Sequence, residues 1–377
     1  MSIRIREHRP GRDIDAFMRV PEILYQGDPG FVMPLYMEQR DRLSPAKNPF
    51  FEHADATLFT AYQDGKLVGR ISAQIDREHL ARHHDGAGFY GYFDTINDVR
   101  VGKALMDAAG SWVRARGMNT LRGPFSLSIN EEMGTLIEGQ AEPSMLMMPY
   151  HRPYQDEITM ASGLVKCKDV LSWKYVVGEI PRRALEAHAE VKAMPEVLLR
   201  SVRWSHLLED TRIMQDVFND AWADNWGFVP MTGREVEKMA ADLKLILDQN
   251  IALIAEIHGR PVAVALALPN VNEAARDIRG KLTPLGIAKL VYRLKVQRTR
   301  SARLILLGIR RELRHKKRYG GLSAALYVEI AKRGERVGYT WGELGWTLED
   351  NRPVNLGIKM MGGVPYKRYR LYEKSLA

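Results

Sequence analysis

The stretch Arg318-Tyr319-Gly320-Gly321-Leu322-Ser323 lies between a predicted strand, Arg303–Ile309, and a predicted helix, Leu322–Val337. Two adjacent glycines let a backbone come close to a ligand. A helix starting at Gly321 turns its unsatisfied N–H groups and the positive end of its dipole back on the loop. Strand, small-residue turn and helix N-terminus together form a pyrophosphate site. The turn lacks the Gly-Lys-Ser/Thr ending of a P-loop and the Gly-x-Gly-x-x-Gly spacing of a dinucleotide fingerprint. Two glycines alone would read as an ordinary turn; the flanking elements and the charge before them favour the anion site.

That charge is concentrated. Lys281 to Arg318 holds thirteen Lys and Arg and one acid, Glu312, a local +12 in a chain whose total is +9. Such a region draws a phosphorylated ligand, an anionic leaflet or nucleic acid. Within it, 285–298 is a basic amphipathic segment: Leu285, Ile287, Leu290, Val291 and Leu294 alternate with Lys289, Arg293, Lys295 and Arg298. Two readings stand for this segment, a helix lying on an anionic membrane surface and a core helix with a solvated rim.

The 377 residues suit two domains of ordinary size, and 45% hydrophobic against 27% charged residues excludes wholesale disorder. No apolar run approaches the roughly 18–20 residues that cross a bilayer. The start, Met1-Ser2-Ile3-Arg4-Ile5-Arg6, alternates polar and apolar and has no secretory h-region. The single cysteine, Cys167, allows neither an intrachain disulfide nor a thiolate metal cage, and reads as a buried structural thiol. These features predict a cytoplasmic protein without a metal.

Working outward from the decisive turn, its helix stops at Gly338, a strand Thr340–Leu348 follows, and Asn351 comes 13 residues after the glycine. The first half repeats the order: a helix Val101–Arg116, Gly117, a strand Asn119–Leu127, and Asn130, again 13 residues on. Each half also holds a hairpin, Thr57–Tyr62 with Leu67–Ile75 and Ile251–Ile257 with Val262–Leu268. Pro181 and Pro195 interrupt the region between the halves. The expected fold is α/β with a mixed sheet, as two similar units, 1–180 and 181–377.

At this point the chain resembles the GNAT superfamily of acyl-CoA N-acyltransferases. Its cofactor loop, Arg/Gln-x-x-Gly-x-Gly/Ala, matches Arg318-x-x-Gly321-x-Ser323 with serine at the last position. The resemblance implies that the backbone from Tyr319 through Gly320, Gly321 and Leu322 to Ser323 holds the diphosphate of an acyl-CoA. It further implies a backbone N–H near Ile309 and Arg310 that polarises the thioester, and a pantetheine contact at Asn351. One departure stands out: the tyrosine common seven residues after that asparagine is Ile358 here.

Several segments narrow the likeness to the YghO-like group of tandem GNAT proteins, which includes the bacterial ceramide synthases. They are Gly123-Pro124-Phe125-Ser126, Asn225-Trp226-Gly227-Phe228-Val229-Pro230, Leu268-Pro269-Asn270-Val271-Asn272, Glu343–Asn351 and Gly362–Tyr369. This implies transfer of a fatty acyl group to the amine of a sphingoid base, with no nucleic acid involved. The first half, with Asn97-Asp98-Val99-Arg100 where the loop should be, reads as a degenerate unit. The alternatives are an aminoacyl-tRNA-dependent transferase, in which the basic run meets RNA, an N-acetyltransferase acting on another amine, and a nucleic-acid-binding or scaffold protein on an inactive acyltransferase fold.

N-acylation needs a base, and Glu343 and Glu349, six apart on one predicted strand, share a face under period-two alternation. Trp341, Leu344 and Trp346 around Glu343 would desolvate it and raise its basicity, whereas a strand glutamate can equally be a paired core carboxylate. Glu349 and Asp350 can also cap the next helix. Asn225, Trp226, Phe228 and Trp346 are candidates for lining the acceptor channel, with packing between helices as the plainer reading. A hydroxyl from Tyr366, Tyr369 or Tyr372 is a candidate for the missing acid.

Overall fold

A computed structural model describes residues 2–376. The chain divides into two compact units. One takes the chain up to Val170, Ala275–Ile287 and the chain from Lys367 on; the other takes Leu171–Ala274 and Ala288–Tyr366. The predicted halves were contiguous; the observed units are interleaved, because the end of the chain supplies a strand to the first.

The first unit opens with β1 (Ile3–His8), α1 (Asp15–Leu24), α2 (Tyr36–Arg42) and α3 (Phe50–His53). Then come β2 (Ala54–Gln63), β3 (Lys66–Asp76), α4 (Arg77–His83), β4 (Ala87–Thr95) and α5 (Val99–Arg114). β5 (Thr120–Gly123), β6 (Thr135–Glu138) and α6 (Tyr154–Ala161) follow. β1 to β4 form an antiparallel run, β5 joins parallel to β4, and the last strand of the chain, Val364–Ser375, pairs antiparallel with β5 and β6. α5 buries Val101, Leu105, Ala109 and Val113, a helical-period stripe, in one core with Phe59, Ile71, Tyr90 and Leu121 of the strands.

The second unit begins within β7 (Val165–Val176) and continues through α7 (Arg182–Lys192), β8 (Val197–Ser201), α8 (Leu207–Trp222) and α9 (Gly233–Ile246). The hairpin β9 (Ala252–Ile257) and β10 (Arg260–Pro269) leads to α10 (Val271–Ala275) and α11 (Pro284–Tyr292). β11 (Ser301–Ile309), α12 (Leu322–Arg336), β12 (Trp341–Leu348), α13 (Arg352–Met360) and β13 (Val364–Ser375) complete the chain. The strand order is β12-β11-β10-β9-β8, with β11 and β12 parallel and the rest antiparallel. Leu322, Ala325 and Leu326 of α12 share a core with Leu253, Ala263, Ala265 and Leu304. α8 covers β11 at Gly308, where a Cβ would lie 2.2 Å from the Trp222 ring; only glycine admits that approach.

Both units thus contain a strand, a helix and a parallel strand in succession, β4-α5-β5 and β11-α12-β12, as the duplicated spacing predicts. The predicted strand Asn119–Leu127 is shorter, stopping at Gly123 before Pro124. The basic segment is α-helical only to Tyr292 and then forms a π turn, Arg293–Gln297.

Candidate active site

The decisive turn differs in one respect from its reading. Lys317–Tyr319 is a 3-10 turn, in which the Tyr319 and Gly320 N–H groups donate to Lys316 and Lys317 carbonyls at 2.9 and 3.1 Å. Those two amides are spent inside the turn. Gly321 is the N-cap of α12, with an ordinary φ of −82°, and no side chain caps the helix. The open donors are therefore those of the first helical turn, from Gly321 through Leu322 and Ser323. Gly321 matters for space: a Cβ would sit 3.3 Å from the Ala187 carbonyl oxygen of α7. The Arg318 guanidinium is exposed and donates to Glu196 at 2.5 Å.

Beside this helix the sheet opens. β11 and β12 pair only from Ser301–Trp341 to Leu304–Leu344, although both strands run on to Ile309 and Leu348. A bulge between Leu304 and Leu306 shifts the register of β11 against β10. The Arg310 N–H donates to the Val262 carbonyl at 2.9 Å, so by alternation Gly308 and Leu306 face β10 while Ile309 and Leu307 face the opening. Of the predicted pair, Ile309 presents its backbone to the gap; the Arg310 guanidinium is held by Asp216 and its Nε donates to the Pro261 carbonyl. Asn351 caps α13, its side chain accepting from the Val354 N–H at 3.5 Å. Sequence reasoning missed Asn355, which donates to the Leu348 carbonyl at 3.0 Å and whose buried Oδ1 has no hydrogen-bond partner among the described residues.

One rung below the opening, Arg303 and Glu343 are cross-strand neighbours, 3% and 0% exposed. Arg303 Nε lies 2.9 Å from Glu343 Oε1 as an ion pair, and Arg303 Nη2 donates to the Gly345 carbonyl at 3.0 Å. The Tyr366 hydroxyl donates to Glu343 Oε2 at 2.5 Å. The apolar enclosure predicted for Glu343 is thus corrected: its carboxylate meets an arginine and a phenol. Arg303 had a readable signal, a lone charge in the run Ala302-Arg303-Leu304-Ile305-Leu306. Glu349 does not share that face: alternation breaks at Gly345, φ +117°, and Glu349 falls in the turn after β12. Trp346, on the diverging arm of β12, is half-buried.

Asn225, Trp226 and Phe228 form the turn that closes α8. The Phe228 N–H donates to Asn225, and the buried Phe228 ring packs at 5.4 Å from Phe218. For Phe228, packing is what the geometry records.

No model of a known protein family matches the chain. A bacterial ceramide synthase from Caulobacter vibrioides is 38% identical over 97% of this chain and 95% of its own length. Protein YghO of Escherichia coli is also 38% identical, over 97% of this chain and 93% of its own. The chain belongs to this ceramide synthase and YghO family. Its fold matches a tandem GNAT protein from the clavulanic acid biosynthesis pathway with a TM-score of 0.57 at 12% identity, covering 100% of this chain and 99% of that one.

In this member of the YghO family the first unit repeats the architecture without the opening. The Asp98 side chain caps α5 by accepting from the Arg100 N–H, so a carboxylate stands where α12 offers bare donors. The Arg100 guanidinium beside it holds that carboxyl well below the usual range. β4 and β5 also part, after Phe89–Arg122, but the chain itself enters the gap: the Phe125 N–H donates to Tyr90 at 2.7 Å. A Cβ on Gly91 would lie 1.8 Å from the Phe125 carbonyl oxygen.

The basic run of the family member is not uniformly free charge. Arg310 pairs with Asp216 and Arg311 with Asp220 and Asp224, all presented by α8 and the turn after it. α11 buries none of its residues, and Leu285, Ile287 and Val291 stand in solvent, Leu285 at 79% exposure. The core-helix reading of this segment is overturned.

Proposed function

We propose that this chain transfers a fatty acyl group from acyl-CoA to the amine of a sphingoid base, giving a ceramide-type amide and free coenzyme A. The observation that carries the reading is the opening between β11 and β12 beside the uncapped N-terminus of α12. Backbone donors of the first helical turn suit the diphosphate, and the Ile309 and Leu307 edge of β11 suits a chain lying where a strand partner is missing. The 38% identity to a bacterial ceramide synthase supports the acceptor class.

In this reading the amine attacks the thioester carbon and the C–S bond breaks. The proton leaving nitrogen passes to the Tyr366 hydroxyl as Tyr366 passes its own to Glu343; the pair then returns one proton to the departing thiolate. Glu343 is the acceptor of that relay and Arg303 positions it. The first unit does not bind acyl-CoA, since Asp98 and Phe125 occupy the equivalent places, and its part is structural. α11 rests on an anionic leaflet, from which a long-chain amine is supplied.

The test is release of free thiol from palmitoyl-CoA by the purified protein, with and without sphinganine, and mass analysis of the product. Amine-dependent release with an N-palmitoyl product is expected. Release that ignores the amine, or none, overturns the proposal.

A further inference from the structure

Between α12 and the strands beneath it lies a crevice holding about 540 Å³ of empty space, part of it open to solvent. Ala302, Leu304, Gly342 and Leu344 form its floor, and Tyr327 and Gly334 of α12 border it. The space exists because small residues fall together from three elements: Ala302 on β11, Gly342 on β12, and Ala331 with Gly334 on α12.

Two features give it a direction. Leu304 and Leu344, which line it, are the last paired rung before β11 and β12 part. The crevice also borders α12, the helix whose N-terminus carries the open donors, and its other α12 residues lie toward the C-terminal end. At that end Tyr339 and Ile251 line the crevice, and the buried Tyr339 ring is fixed by its hydroxyl, which donates to Asp248 at 3.1 Å. A Cβ on Gly334 would rest 3.6 Å from both Ile251 and Tyr339, in ordinary contact.

We propose that this crevice receives the hydrocarbon tail of the acyl donor, entering past Leu304 and Leu344, and that Tyr339 and Ile251 set the longest chain accepted. The inference rests on the acyl-CoA reading above and adds a chain-length ruler to it. An apolar wall holds a methylene chain by removing it from water, and each buried methylene tightens binding about fourfold until the end wall is met.

The experiment measures dissociation constants of acetyl-CoA and even-numbered saturated acyl-CoAs up to stearoyl-CoA by calorimetry on the full chain. Affinity should rise with length and then level. Gly334→Ala, which fits without a clash and favours the helix, and Ala331→Leu should both move the levelling point to shorter chains. Palmitoyl-CoA should weaken at least tenfold in Ala331→Leu while acetyl-CoA holds its value. A levelling point that stays put, or equal losses for acetyl- and palmitoyl-CoA, overturns the ruler while leaving the acyl-CoA reading standing; failure of every CoA thioester to bind overturns both. A second arm needs no variant. Palmitoyl-CoA with a terminal diazirine, photolysed in the wild-type protein, should label Tyr339 or Trp341 peptides. Labelling of those peptides by a sphingoid base carrying the diazirine at its tail, and not by the acyl label, assigns the crevice to the acceptor and overturns the proposal.

Discussion

Tyr366 is the half-buried end of a line of contacts that passes through Glu343 to Arg303. Taking two charges out of water is costly unless further hydrogen bonds compensate, and here the Tyr366 hydroxyl and the Gly345 carbonyl supply them. Glu343→Gln keeps the shape and the acceptor oxygen but cannot take a proton. Its turnover should fall by about 10²- to 10⁴-fold with little change in the KM for acyl-CoA. Steady-state thiol release measures this, and full turnover in the variant would remove Glu343 from the chemistry. Arg303→Met in the same series separates support from reaction. It leaves a buried carboxylate without its counter-charge, so a loss of about 3–5 kcal/mol in denaturant unfolding is expected.

Among the elements, α5 and α12 are the same device with opposite endings. One carries its own carboxylate at the N-cap; the other ends on Gly321 with none. Gly321→Asp should make α12 like α5 and weaken CoA binding at least tenfold. Gly321→Asn, of equal size, should weaken it less, because the larger part of the effect is charge at a helix N-terminus. Equal losses in a titration of the two would mean that bulk against Ala187, not charge, governs the site. The pairing of α7 with α12 offers a pH test. Burial alone would raise the carboxyl of Glu329, but His188 at 2.9 Å, Arg333 at 2.7 Å and Lys192 outweigh it and bring it down to about 2, from 4.5. A depressed carboxyl stabilises the fold above its unfolded value and loses that contribution as pH falls from about 4.5 toward 2. The stability gap between wild type and Glu329→Gln in urea should therefore narrow from pH 6 to pH 3. A constant gap would show that the charge contributes nothing.

These elements were largely legible. The helices after β4 and β11 announce themselves by apolar period and a stopping glycine, and the turn at Gly320-Gly321 by its neighbours. The opening itself was not legible, because it depends on where a parallel ladder ends. Glu343 was singled out for its apolar neighbours in sequence, yet its partners are Arg303, 40 residues away, and Tyr366. For Phe228 packing and channel lining both stood open, because an aromatic that packs and one that binds have the same local pattern.

For the whole molecule, charge and apolar exposure have to be read together. Within the +12 region Arg310 and Arg311 are answered by Asp216, Asp220 and Asp224, while Leu285, Ile287 and Val291 of α11 face solvent. No helix among the described residues is long and apolar enough to cross a membrane. In the proposed reading α11 makes a peripheral contact with an anionic leaflet. Sedimentation with vesicles containing phosphatidylglycerol should exceed that with neutral vesicles and fall with salt, Lys295→Glu costing at least about 1 kcal/mol. Equal sedimentation with neutral vesicles would contradict it.

The placement of β13 has a consequence for how the protein is made. β5 has β4 on one side and, on the other, a strand drawn from the final residues of the chain. On a ribosome adding about 5–20 residues each second, the edge of β5 waits for roughly 12–50 s before its neighbour emerges. The first unit is finished last, its β5 edge unpaired meanwhile, and a chain cut near residue 180 would carry an unfinished sheet instead of a domain.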